Sequence, residues 1–253
     1  MTTNPDIPDF ESKIIASFSK HVKSYDRHAH LQKSMGERLA TYLPQTIPGT
    51  VIEIGCGTGV FTRHLLTRKV GQLILNDIAP AMLEHLRTQL KLPKNTKFIA
   101  ANAEHIDFEK ADLMVANAVF QWFHDPQSSL DRLAKSIKKR GHLIFSTFGP
   151  ETLKEFRETA SLESPANLKS MDQWKKLLKK VGFTLQESAV EKRNIFSPST
   201  LTLVRNLQQI GAAPLPMMNP GGLRRLIRTY DENYSTPQGV YSTWELFYFK
   251  ATR

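Results

Sequence analysis

A short apolar strand that runs directly into a glycine-rich turn constrains what the rest of this chain can build. Val51-Ile52-Glu53-Ile54 is followed by Gly55-Cys56-Gly57-Thr58-Gly59 and then by Val60-Phe61-Thr62-Arg63-His64-Leu65-Leu66. Phe61, Leu65 and Leu66 recur at helical spacing, so the turn joins a strand to a helix. In an open α/β sheet that turn lies at the carboxyl end of the strand, where nucleotide-like ligands bind. Glycines admit a close backbone approach there, and the helix start offers unpaired N–H groups. The spacing narrows the ligand. Val60 stands where the dinucleotide fingerprint has its last glycine, and no Lys-Ser/Thr pair follows as a phosphate loop requires. The turn suits an uncharged or cationic tail, with Glu53 placed to hold an amino group. The alternative is a tight turn with no ligand.

The remaining chain is long enough to complete such a sheet as one domain. It has 253 residues, 40% of them hydrophobic. No apolar run approaches the ~20 residues of a membrane span, and the acids and prolines near the start do not read as a secretory signal. Cys56 is the only cysteine, which excludes an internal disulfide and fits a reducing, cytoplasmic setting. No metal and no membrane partner are expected. The net charge of +10 favours an acidic partner. The basic residues fall in short groups at Lys138-Lys139-Arg140, Lys175-Lys176 with Lys179-Lys180, and Arg224-Arg225 with Arg228, which also read as solvated helix faces.

Apolar residues from Phe10 to Leu43 recur at three- and four-residue steps and Pro44 stops them, so residues 1–44 form a helical arm placed to act as a lid. Within it Tyr25 reads equally as a core aromatic and as a site residue. Gln72 to Asp77 is a second strand ending in an acid, 22 residues after Gly55. A carboxylate there is placed to accept from a ribose diol; the alternative is an N-cap acid. Ile78, just after that strand, and Met82, on the helix that opens at Pro80, are expected in the same site. Thr96 to Ala100, Leu113 to Asn117 and Gly141 to Phe148 supply three more strands. Strands alternating with helices predict a doubly wound parallel sheet of α/β class. Helices are predicted over 172–181, 199–210 and 221–230, and strands over 183–196 and 241–251. Residues 199–235 form a helical insertion placed to cover a substrate.

The glycine turn, Asp77 and the strand order resemble class I S-adenosylmethionine-dependent methyltransferases, whose Rossmann-like sheet has seven strands. The resemblance implies that Gly55, Gly57, Gly59, Asp77 and Asn117 hold S-adenosyl-L-methionine. It implies that Asn102 and Ala103 meet the adenine, although an acid is more usual than Asn102. A narrower likeness lies in Ser24-Tyr25-Asp26-Arg27-His28-Ala29-His30-Leu31-Gln32, in Asn117-Ala118-Val119-Phe120-Gln121-Trp122, in Phe145-Ser146-Thr147-Phe148-Gly149-Pro150-Glu151-Thr152-Leu153-Lys154-Glu155 and in Asn206-Leu207-Gln208-Gln209-Ile210-Gly211-Ala212. These resemble the malonyl-[acyl-carrier protein] O-methyltransferases of biotin synthesis. One departure is Asn167-Leu168, where that family commonly has Arg-Phe.

That resemblance implies methyl transfer to the free carboxylate of a malonyl thioester on acyl carrier protein, an acidic partner that suits the positive charge. A carboxylate with a pKa near ~4 is already ionised at neutral pH and needs no general base. By resemblance Tyr25 supplies an orienting hydroxyl. Arg205 reads either as the substrate's cation or as a surface arginine. Alternatives are another small carboxylate acceptor, or an assembly factor that kept the fold without methylating. Nucleic acid is not expected as a partner, since no aromatic-basic RNA module or appended domain is visible.

Overall fold

A computed structural model describes residues 7–162, 168–210 and 219–253. Residues 1–6 of the arm, Asn167, and Gly211 and Ala212 of the C-terminal motif lie outside the described residues.

The chain opens with two helices, α1 (Ile7–His28) and α2 (His30–Ala40). An alternating half follows: β1 (Thr46–Ile54), α3 (Thr62–Leu65), β2 (Lys69–Asp77), α4 (Pro80–Gln89), β3 (Lys97–Ala100), β4 (Ala111–Asn117), one 3-10 turn (Phe120–Trp122), α5 (Pro126–Ser136) and β5 (Ile137–Phe148). The last part holds α6 (Lys154–Thr159), α7 (Met171–Lys180), β6 (Thr184–Ser197), α8 (Thr200–Gln209), α9 (Pro220–Tyr234), β7 (Ser235–Thr236) and β8 (Gly239–Thr252).

The strands lie in the order β3-β2-β1-β4-β5-β8-β6. β1 to β5 run parallel, and β8 is antiparallel to both β5 and β6. The path of seven strands carries one addition, the two-residue β7, which pairs only with β8. The chain leaves β1 for β2 and β3, then returns to β4 on the other side of β1. The strand order therefore reverses between β1 and β4, and a crevice opens at their carboxyl ends. The helix after the glycine turn is a single turn, because the Arg68 N–H closes on the Leu65 carbonyl at 2.9 Å and β2 begins at once.

Apolar cores on both faces join the sheet to its helices. On one face Met35 and Leu39 of α2 pack with Phe61, Leu65 and Leu86, all fully buried. On the other, Phe145 stacks on Phe249 with ring centroids 4.6 Å apart and meets Trp174 edge-on at 5.5 Å, fixing α7 to the sheet. Offset and edge-on ring pairs add specificity to the area they bury. The N-terminus of α7 is closed by a reciprocal cap between Ser170 and Gln173.

Candidate active site

A cavity of about 420 Å³ runs along the strand ends from β3 to β5. That lies within the ~300–1,000 Å³ common for ligand sites. Its floor is the glycine turn. Gly55 (φ +61°) and Gly57 (φ +53°) occupy the left-handed region that favours glycine. A Cβ at Gly57 would meet nothing within 4 Å, so the backbone there is open to a ligand. A Cβ at Gly55 would fall 2.5 Å from Val119.

Asp77, at the tip of β2, lies in the cavity wall. Its Oδ2 accepts from the Gly57 N–H and its Oδ1 from the Ala79 N–H, both at 2.8 Å. Burial pushes its carboxyl up to about 6, while backbone hydrogen bonds from Ala79 and Gly57 work the other way. Ile78, Met82, Asn102, Ala103 and Asn117 line the same cavity. Asn117 accepts from the Ser146 hydroxyl at 2.7 Å and donates to the Gln32 carbonyl at 2.9 Å.

The arm forms the roof. Tyr25 lines the cavity, and burial together with the nearby Asp77 and Asp26 charges raises its hydroxyl pKa, so it remains a proton donor. Asp26 accepts from the Thr58 hydroxyl at 2.5 Å, and its other oxygen lies 3.7 Å from Arg63. At the far end of α1, Glu11 accepts from Asn102 Nδ2 at 2.7 Å and meets His105 at 2.9 Å. No sequence pattern singles out Glu11, since a lone acid in the arm's first turns is ordinary on a solvated helix. Gln32 is buried and lines the cavity, and its Oε1 has no partner among the described residues. A buried acceptor left open in this way can take a donor from a bound molecule or an ordered water.

Three expected site residues lie elsewhere. Glu53 is buried beneath the turn and accepts from the Thr62 hydroxyl at 2.7 Å, so it does not face the cavity. Burial holds its carboxyl up to about 8, against the hydrogen bond from Thr62, which works the other way. Gly59 (φ +88°) backs onto the α4 region, where a Cβ would sit 2.6 Å from Leu90 and 3.2 Å from Leu86; its role is packing. Arg205 is exposed, because Leu203, Val204 and Leu207 turn the other face of α8 inward.

The segment after β5 supplies the opposite wall. Its acids act as staples. Glu155 is buried and accepts from the Thr243 N–H at 2.9 Å and from the Thr243 hydroxyl; Glu245 of β8 accepts from the Glu151 N–H at 3.0 Å. Thr152 exchanges hydrogen bonds of 3.1 Å with the Glu245 backbone. Leu153, held at φ +56° without being glycine, donates its N–H to the Thr243 carbonyl at 2.7 Å. This anchored turn presents Leu153, Phe156 and Arg157 to the cavity. Arg157, which no sequence motif marks, is the only lysine or arginine among the described lining residues.

The cavity is thus electrically polar along its length. Asp77, Glu11 and Glu104 line the end at β2 and β3, and the Arg157 guanidinium lies in the apolar end beyond β5.

A family model described as a methyltransferase domain matches residues 25–188. The chain belongs to that methyltransferase-domain family. Among curated relatives, the malonyl-[acyl-carrier protein] O-methyltransferase of Paenibacillus sp. (strain JDR-2) is 28% identical, over 88% of this chain and 91% of that one. The protein of the same name from Priestia megaterium is 28% identical over 93% and 95%, and that from Acetivibrio thermocellus is 37% identical over 54% and 50%. The fold is shared with the YcgJ protein of Bacillus subtilis (TM-score 0.66, 13% identity, 87% of this chain and 98% of that one). It is also shared with phosphoethanolamine N-methyltransferase 2 of Haemonchus contortus in complex with S-adenosyl-L-methionine (TM-score 0.58, 17% identity, 93% and 57%).

Proposed function

We propose that this protein transfers the methyl group of S-adenosyl-L-methionine to the free carboxylate of a malonyl thioester carried by acyl carrier protein, an early step of biotin synthesis. The observation that carries this reading is the polarity of the cavity. An acidic end suits a cationic cofactor, and an apolar end with one guanidinium suits an acceptor that is a short acyl chain ending in a negative charge. Relatives that align with nearly the whole chain bear the name of this activity.

The residues present fit the cofactor. Asp77 retains acceptor capacity for a ribose diol beyond its two backbone bonds. The open Gly57 backbone admits a close approach, and the unpartnered Gln32 Oε1 beside Asn117 awaits a donor such as an ammonium. Asn102, with Glu11 bound to it, and Ala103 form the wall for the adenine, with Ile78 and Met82 as its apolar sides. When bound, S-adenosyl-L-methionine supplies a methyl group activated by its sulfonium.

The protein's own part is positioning. The acceptor carboxylate is ionised at neutral pH, so no side chain has to remove a proton. The Tyr25 hydroxyl, kept protonated, donates to that carboxylate and orients it. Phe148, Phe156 and Trp244 exclude water from the acceptor end. Alignment in a dry site is the main source of rate here.

The carrier would dock against an exposed basic helix face. Arg224, Arg225 and Arg228 are exposed on α9, which packs against α6 and α8. Complementary charge of this kind speeds encounter with an acidic protein. The single cysteine, buried and free, suits a cytoplasmic enzyme. Among the described residues no helix is long and apolar enough to cross a membrane.

The test is transfer of isotope-labelled methyl from S-adenosyl-L-methionine to purified malonyl carrier protein. The reading expects the label in a base-labile ester on the malonyl group. Label in a base-stable position, or on the acetyl carrier equally, would overturn it.

A further inference from the structure

Arg157 is a half-buried cation that makes no direct ion pair among the described residues, although the charges of Glu151, Glu155 and Glu158 reach it through space. One Nη donates to the Pro150 carbonyl at 2.5 Å and the other to the Thr152 carbonyl, which pins the guanidinium in one orientation at the cavity wall. No carboxylate lies within ion-pair distance of it among the described residues, and the three described glutamates whose charges reach it make their direct contacts elsewhere. Glu155 is taken by Thr243, Glu151 pairs with Lys154 at 2.8 Å, and Glu158 accepts from the Tyr234 hydroxyl at 3.1 Å. Its neighbours on the wall are Leu153, Phe156, Leu162 and Leu168. Removing a charge from water without a partner is costly, and a fold that keeps such a charge in an apolar lobe leaves it available for a ligand of opposite sign. In that low-dielectric lobe a carboxylate would feel the guanidinium far more strongly than at the surface.

We propose that Arg157 is the substrate's cation: it holds the acceptor carboxylate through its remaining N–H groups and makes the enzyme select acyl thioesters that end in a negative charge. This rests on the methyl-transfer reading above and names the residue that reads the substrate. The two backbone carbonyls hold the planar fork in place, so part of the ordering is done before the substrate arrives. Substrates without the terminal carboxylate leave the guanidinium desolvated and unpaired, which is how a polar site rejects an analogue lacking its partner group. Arg205 is excluded from this role by its position on the outer face of α8.

The experiment compares binding of malonyl and acetyl carrier protein to the wild-type protein and to Arg157→Gln, each saturated with S-adenosylhomocysteine so that no turnover occurs. Thermal unfolding and cofactor titration accompany each variant. The wild type should bind the malonyl form about tenfold tighter or more. Arg157→Gln should bind both forms alike while its cofactor affinity is unchanged. A purely structural arginine would weaken both carriers equally and leave their ratio intact, and that result would overturn the proposal, as would a wild type that binds both forms alike. If the glutamine variant does not fold, Arg157→Lys serves instead. It keeps the charge but not the fork, so the ratio should shrink without vanishing, and an unchanged ratio would overturn the assignment. A wild type that discriminates between the carriers but transfers no methyl to either would count against the methyl-transfer reading alone.

Discussion

The carboxylate of Asp26 accepts a hydrogen bond of 2.5 Å from the hydroxyl of Thr58, and so fastens the N-terminal arm to the glycine turn. Thr58 is buried, and Asp26 directly follows Tyr25 on α1. The bond therefore sets the height of the roof over the cofactor cradle. With Glu11 bound to Asn102 at the other end of the same helix, α1 spans the cavity between two polar anchors.

Removing one anchor should loosen the roof without unfolding the sheet. Asp26→Ala is expected to weaken S-adenosylhomocysteine binding by about 3- to 10-fold, on the order of 1 kcal/mol for one charge-assisted hydrogen bond. Limited proteolysis within α1 should become faster. Isothermal titration and a cleavage time course check both effects, and a variant identical to wild type in both would show that the arm is held by its apolar stripe alone.

Asp77 predicts a pH dependence of cofactor affinity. Its carboxyl sits at about 6 in the free protein. Ribose hydroxyls donate to the ionised form, so binding favours deprotonation. Affinity for S-adenosylhomocysteine should hold above pH 6 and fall as the pH drops below it. Asp77→Asn should bind at least about tenfold more weakly and lose that slope. A wild-type affinity that is flat through pH 6 would remove Asp77 from the ribose.

Glu53 predicts a stability trend in the free protein. Its folded pKa is about 8 against an ordinary 4.5. Above pH 4.5 the unfolded chain releases this proton while the folded chain retains it, so folding stability falls as the pH rises to about 8 and then levels. The window for Asp77 ends near 6, and His64 and His142, whose pKa burial lowers from 6.5, act with the opposite sign only up to about that pH, so the fall from about pH 6.5 to 8 belongs to Glu53. Glu53→Gln, which still offers Thr62 an acceptor, should flatten that part of the curve. Thermal unfolding midpoints across the range give the measurement, and an equal slope in both proteins would refute the assignment.

Tyr25 separates orientation from cofactor binding. Tyr25→Phe keeps the ring against its aromatic neighbour Phe18 but removes the hydroxyl. The expected outcome is a fall in kcat of about tenfold to a hundredfold with cofactor affinity nearly unchanged. A wild-type rate would make Tyr25 a packing residue only.

The parts of this molecule legible in the sequence are those set by local pattern. The glycine turn, the acid closing β2 and the unbroken apolar run of β4 each announce a parallel sheet, because period and turn chemistry act over a few residues. What was not legible depends on which way a side chain faces after the chain folds. Glu53 and Asp77 both stand near the end of a β-strand. Glu53 points beneath the turn toward Thr62, while Asp77 lies in the cavity wall. Arg205 and Arg157 both stand on short helices beside recognisable motifs. Only the packing of α8 through Leu203 and Leu207, and the stapling of the segment before α6 to β8, decide that the first faces solvent and the second the cavity. Glu11 was hidden because its partner Asn102 is 91 residues away.

Methyl transfer is read most directly from the intact mass of malonyl carrier protein incubated with S-adenosyl-L-methionine and this protein, beside the acetyl carrier under the same conditions. Methyl transfer to the malonyl carboxylate predicts a gain of one methyl on the malonyl form, no gain on the acetyl form, and a slower gain with Tyr25→Phe. No mass change on malonyl carrier by a protein shown to bind the cofactor would contradict it.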